Sequence, residues 1–184
     1  EAFQMVVDGV SPVLIDNVAR QAGFAMGPLA LMDDIGLENG YRNALMERDL
    51  LGEEPVGFAL QHTLCAELQR SGRRVGQGIY GYVDGKRVPW KNISEYFPAA
   101  AQQPAPLEVK QRLLCIQALE AARCFEEGVV QTAAEGDVGS VLGIGFPAYT
   151  GGVFSYIDTM GWPEFVATCD QLADTVAERF RPTA

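Results

Sequence analysis

The sequence predicts an all-α protein made of a duplicated helical domain, with one small hairpin or loop insert. Three observations carry this reading. Apolar residues recur at helical spacing through most of the 184 residues. Glycines and prolines punctuate those runs where helices stop and start. Features of the first third also return in the last, LMDDIG at 31–36 answering YIDTMG at 156–161.

Residues 1–8, EAFQMVV and Asp8, read as the end of a helix stopped at Gly9, and there is no initiator Met. The expectation is a fragment whose first helix began upstream. Ser11 resembles an N-cap with Pro12 at the first helical position, and Gly23 closes that helix. Pro28 opens a short apolar helix through Ile35, Gly36 breaks it, and a more polar helix spans Leu37–Leu51. Phe58, Leu60, Leu64, Cys65 and Leu68 predict a further helix ending near Ser71-Gly72. Ile79, Tyr80, Tyr82 and Val83, then Asp84-Gly85, then Lys86-Arg87-Val88 give the best hairpin signal. PAAAQQPAP at 98–106 reads as a linker with little to bury. A long helix is expected from Leu107 to Glu127, another over Ala134–Leu142, a third over Val153–Met160 and a last one from Pro163. The domains implied are 1–92 and 93–184.

The stretch Asp137–Gly161 organises this pattern: an apolar helical run, a Gly/Pro-broken loop, and a second apolar run closed by glycine. Its echo is Gly23–Gly36. Gly9 answers Gly128, Asp16 answers Asp137, Gly27 answers Gly152 and Asp33 answers Asp158. An acid at a helix end accepts hydrogen bonds from free backbone N–H groups, so Asp33 and Asp158 are expected to cap the helices that follow.

Composition excludes several functions. A net charge of −10 makes a poor nucleic-acid binder. No run approaches the roughly 18 apolar residues of a membrane span, and no signal peptide is visible. Cys65, Cys115, Cys124 and Cys169 form no CxxC and lie in helical patterns, which reads as buried reduced thiols. Arg70, Arg73, Arg74, Lys86, Arg87 and Lys91 fall within 22 residues, with Asp84 the one acid among them. That segment is either a solvated loop or a contact for an anionic ligand or for a neighbouring domain.

Local chemistry is sparse. GIGFP follows a helical pattern, and GQGIYG has an Ile-Tyr pair where a helix would have to begin, so neither fits a dinucleotide loop. No GxxxxGK[ST] occurs. The single histidine, His62, needs a carboxylate partner to act as a base, and Glu67, five residues on, belongs off its face in a regular helix.

The stretches GVSPVLIDNVARQAGFAMGPLALMDDIGL, GRRVGQGIYGY at 72–82 and 137–161, in this order, resemble the C-terminal part of 3-hydroxyacyl-CoA dehydrogenases. More narrowly they resemble the dehydrogenase half of the multifunctional β-oxidation enzyme that also carries an enoyl-CoA hydratase. Gln77 and Ile79 depart mildly from the Lys and Phe common in that loop. The resemblance implies a fold like the C-terminal domain of 6-phosphogluconate dehydrogenase. It also implies oxidation of an acyl-CoA 3-hydroxyl by NAD, with NAD and the catalytic residues in a preceding Rossmann domain outside this chain. On that basis no catalytic residue, cofactor site or metal site is assigned here. Met26, Gly27 and Pro28 match the family's Met-Gly-Pro stretch and are expected to line the acyl-CoA cleft. The further implications are a homo-oligomer or a thiolase partner, and a bacterial cytoplasm, with mitochondrion or peroxisome the other homes of such enzymes. A helical binding or dimerisation module without an enzymatic parent is the rival reading.

Overall fold

The structure, a computed structural model, describes residues 1–182. Its elements are helices apart from one two-stranded sheet. Two compact units arise, one from residues 1–18 and 26–105, the other from residues 19–25 and 106 onward.

The first unit contains α1 (Ala2–Val7), most of α2 (Pro12–Gln21), α3 (Pro28–Ile35), α4 (Leu37–Leu51) and α5 (Phe58–His62). Pro12 and Pro28 stand at first helical positions, where a missing N–H costs nothing. α1 packs against α3 and α5, and α4 against α5. Met5, Leu29, Leu37, Phe58, Leu60 and Leu64 are fully enclosed. After α5 the chain makes one π-helical turn, Thr63–Glu67, which periodicity alone did not reveal. Strands β1 (Tyr80–Val83) and β2 (Lys86–Pro89) pair antiparallel through Asp84-Gly85. Both turn residues have positive φ, 49° and 73°, as a two-residue hairpin turn of this hand requires. A short helix α6 (Ile93–Tyr96) follows.

The segment expected to be a linker is pinned down instead. The Gln103 side chain accepts from the Ser11 N–H at 2.8 Å and donates to the Gly9 carbonyl at 2.9 Å. The Ala100 N–H also donates to Gly9 O. These bonds satisfy backbone groups at the start of α2, so a polar, proline-rich stretch becomes ordered without burying much apolar surface.

The second unit contains α7 (Pro106–Glu126), α8 (Ala133–Gly143), α9 (Val153–Met160) and α10 (Trp162–Thr175). Pro106 takes the first position of α7, one residue before the expected start. α8 opens with a capping box in which the Thr132 hydroxyl accepts from Glu135 N and the Glu135 carboxylate accepts from Thr132 N. α7 packs on α8, α9 and α10. The core gathers Leu114, Cys115, Leu119, Phe146, Ile157, Phe165, Cys169 and Phe180, with Phe24 against its edge. Cys115 and Cys169 are buried as expected, while Cys65 and Cys124 are half-buried.

Candidate functional site

The duplication is visible atom by atom, and it locates the site. In the first unit, Asp16 on α2 is buried and receives the N–H groups of Leu29 and Ala30 at 2.9 and 3.0 Å. These are the second and third residues of α3, so a carboxylate from one helix caps the next. In the second unit, Asp137 on α8 receives the N–H groups of Phe154 and Ser155, the second and third residues of α9, at 2.7 and 3.1 Å. Glycine permits both approaches. A Cβ on Gly27 would lie 2.2 Å from the Asp16 carboxyl carbon, and one on Gly152 would lie 2.4 Å from Asp137 Cα.

The expected capping pair, Asp33 and Asp158, does not cap the following helices. Neither α4 nor α10 has a side-chain cap. Asp33 turns inward and accepts from Ile79 N at 2.8 Å, Tyr80 N at 2.9 Å and the Tyr82 hydroxyl at 3.0 Å, so it anchors the hairpin to α3. Asp158 is exposed. The two positions align in sequence, but only the first unit has a hairpin to hold.

The Tyr80 hydroxyl lies 2.8 Å from Asp16 Oδ2 and 2.9 Å from the Pro12 carbonyl. One phenolic proton cannot serve both acceptors at once. A protonated Asp16 would donate to the phenol oxygen and free the phenol to donate to Pro12. Burial pushes the Asp16 carboxyl above its ordinary value of 3.8, against the opposing pull of Tyr80, two backbone donors and Arg87. Burial likewise raises Asp33, against Tyr80 N, Ile79 N, Tyr82 and Arg70.

A folded-state value above the unfolded one gives stability that is full below the unfolded value and is lost as pH rises through the folded one. Wild type should therefore gain stability relative to Asp16→Asn as pH falls from about 7 to about 4. The measurement is the melting-temperature difference at each pH; a difference that shrinks on acidification would contradict the assignment.

Much of the cationic segment is consumed internally. Arg70 is buried, donates to the Gly78 and Tyr80 carbonyls at 2.8 and 3.0 Å, and stacks 3.7 Å from the centre of the Trp90 ring. Arg87 lies 3.9 Å from Asp16 and over the Tyr80 ring. Arg73 pairs with Asp34 at 3.3 Å. The expectation of a solvated loop thus fails at Arg70, whose burial is offset by carbonyl partners and an aromatic face. Arg74 lies 4.0 Å from Glu38, and Lys86 and Lys91 are exposed.

His62 also departs from expectation. The π turn brings Glu67 onto its face, 3.8 Å from Nε2, while Nδ1 meets the Tyr41 hydroxyl at 2.8 Å. A π turn holds more residues than an α turn, so a partner five positions away comes round to the same side. His62 stacks on Phe58 with ring centres 5.6 Å apart, and the array ties α4 to α5.

Of the sequence-assigned cleft residues, Gly27 is buried in the Asp16 joint, Pro28 begins α3 half-buried, and Met26 is exposed beside them. Leu31 and Ile35, one turn apart on α3, are exposed as well. Met26, just before the buried joint, and Leu31 and Ile35 on α3 are thus exposed apolar residues of the first unit.

These features define a class: an all-helical protein in which a helix–carboxylate–helix joint is duplicated and the first copy is fastened to a hairpin. Residues 1–82 match the family described as 3-hydroxyacyl-CoA dehydrogenase, C-terminal domain, which is a family of oxidoreductases. The chain is 36% identical to the fatty acid oxidation complex subunit alpha of Pseudomonas aeruginosa strain PAO1, over 96% of its own length and 26% of the relative's. It is 35% identical to the protein of the same name from Ectopseudomonas oleovorans, over 98% of its length and 26% of the relative's. The chain thus spans about a quarter of the relatives it matches. Among solved structures, its fold is similar to 3-hydroxybutyryl-CoA dehydrogenase from Escherichia coli K12, with a TM-score of 0.73 at 19% identity, covering 100% of this chain and 55% of that one. The dehydrogenase part of multifunctional enzyme 1 from C. elegans gives 0.61 at 18% identity, over 94% and 40% of the two chains.

The residues present do not form a Rossmann-type dinucleotide site. Such a site needs parallel strands, with a glycine turn that opens a helix. Among the described residues the one sheet is an antiparallel pair. Gly143 and Gly145 end a helix, and Gly76 and Gly78 lead into a strand. No group of three or more potential metal ligands exists among the described residues, and no described helix is long and apolar enough to cross a membrane.

Proposed function

We propose that the chain is the C-terminal helical part of an NAD-dependent 3-hydroxyacyl-CoA dehydrogenase of fatty-acid β-oxidation, and that its first unit forms one wall of the acyl-CoA cleft. One observation supports this most directly: the buried Asp16–Gly27 joint fixes Met26 and Pro28 and turns Met26, Leu31 and Ile35 outward. Exposed apolar residues at a rigid helix start suit an acyl chain and its thioester better than they suit free solvent. Oxidation of the 3-hydroxyl also needs a hydride acceptor and a base, which a preceding NAD-binding domain supplies in this reading. The contribution of this chain is positioning and exclusion of water. The names of the relatives support a parent that works within a larger bacterial complex, with a thiolase the partner implied by the resemblance.

The chain alone should produce no NADH from 3-hydroxybutyryl-CoA, whereas a longer protein in which an NAD-binding domain precedes it should. In that longer protein Met26→Glu should raise KM about tenfold while leaving the fold intact. Turnover by the 184-residue chain itself would overturn this division of roles.

A further inference from the structure

The corresponding helix face differs between the units: Leu31 and Ile35 are exposed in the first, whereas the residues aligned with them in the second are half-buried against the core. The register set by Gly27 and Gly152 puts Tyr156 at the place of Leu31 and Met160 at that of Ile35. In the second unit this face is hollow. Tyr149, Thr150, Tyr156, Thr159, Met160 and Glu164 line a cavity of about 440 Å³. In its lining, Tyr156 sits edge-to-face between Phe146 and Phe165, with ring centres 5.9 and 6.5 Å away. Of its lining residues, Tyr149 is 69% exposed. Large aromatic surface left in water at a ready cavity is characteristic of binding faces.

The cavity lining holds one charged side chain, Glu164, and no cation, and Asp158, beside Thr159, is exposed. From Cys124 to Glu178 the chain has nine carboxylates and no Lys, Arg or His. Some of these are already engaged. Arg181 pairs with Asp170, Asp174 and Glu178, and Glu135 and Asp137 cap helices. Glu164, on the cavity rim, makes no ion pair among the described residues. Such carboxylates repel phosphates and anionic lipid surfaces, and they attract Lys and Arg.

We propose that this face of α9 and the start of α10 is a docking site for a cationic polypeptide segment. An apolar side chain of the partner sits between Tyr149, Tyr156 and Met160, and flanking Lys or Arg residues meet Glu164 and Asp158. The anchor provides burial and the flanking charges provide selectivity.

The test uses the 184-residue chain with a labelled peptide, acetyl-Lys-Arg-Leu-Trp-Arg-Lys-amide, and its charge-reversed form built on Glu and Asp. Methyl NMR follows Met160 and Thr159, and anisotropy gives the affinity. The cationic peptide should shift both methyls, the charge-reversed peptide neither. Glu164→Lys, on the exposed rim where folding is not at stake, should weaken binding about tenfold. Met160→Glu should abolish it. Three results would overturn the proposal: no shift at millimolar peptide, equal response to both peptides, or an affinity indifferent to Glu164→Lys. Shifts that grow with protein concentration alone would also overturn it, by showing that a second copy fills the cavity. None of these outcomes bears on the reading of the first unit.

Discussion

Gly152→Ala should destabilise the second unit by about 3–4 kcal/mol, enough to lower its melting temperature by roughly 15–25 °C. Two costs add. Gly152 holds φ at +125°, a conformation that L-residues rarely adopt. The new methyl would also lie 2.4 Å from Asp137 Cα, and backbone cannot swing aside as a flexible side-chain tip can. Separating α8 from α9 to make room would stretch the 2.7 Å bond from Phe154 N to Asp137 and strip α9 of its cap. The control is Gly139→Ala, in the interior of α8, where a Cβ meets nothing within 4 Å. Replacing glycine in a helix there should stabilise by about 0.5–1 kcal/mol. Thermal melts of the two variants check the pair. Equal and small effects would mean that the joint is loose.

Asp33→Ala should cost about 3 kcal/mol, whereas Asp158→Ala should change stability by less than about 0.5 kcal/mol. Removing the Asp33 carboxylate leaves the Ile79 and Tyr80 N–H groups and the Tyr82 hydroxyl facing a gap. Buried donors without acceptors carry their full desolvation penalty, whereas an exposed carboxylate loses nothing that water does not replace. The Asp33 variant should also release the hairpin, read as faster amide exchange at Ile79 and Tyr80. Matched losses at Asp33 and Asp158 would restore the idea that the two acids play one role.

The contrast between these two acids shows what could be read from one dimension. LMDDIG and YIDTMG align, and their glycines do end matching helices: Gly36 and Gly161 have φ of 101° and 87°. The alignment could not say that the first unit alone grows a hairpin, because partners of Asp33 lie 46 and 47 residues away. Asp16 and Asp137 were also aligned, yet their role was hidden. Each cap joins residues 13 to 18 positions apart in the chain, beyond the four-residue reach of a local capping motif. Glu67 was misplaced for a related reason: a π turn has no signature in hydrophobic spacing, and five-residue separation means opposite things in α and π geometry. By contrast Thr132 and Glu135 had the S/T-x-x-E spacing of a capping box in plain view. The cleft assignment at Met26, Gly27 and Pro28 rested on resemblance, and periodicity would not have singled those residues out.

Local chemistry determined the helices, their starts at Pro12 and Pro28, their glycine stops, the Asp84-Gly85 turn and the twofold repeat, because each depends on residues within one or two turns of chain. Tertiary structure alone decided which acids became joints, which arginine went inside and which apolar faces stayed bare. Those outcomes depend on what a distant segment offers: a donor for Asp33, a carbonyl and an indole face for Arg70, and nothing yet for the hollow beside Tyr156. A buried charge is stable only where such partners converge, and convergence is a property of the folded chain.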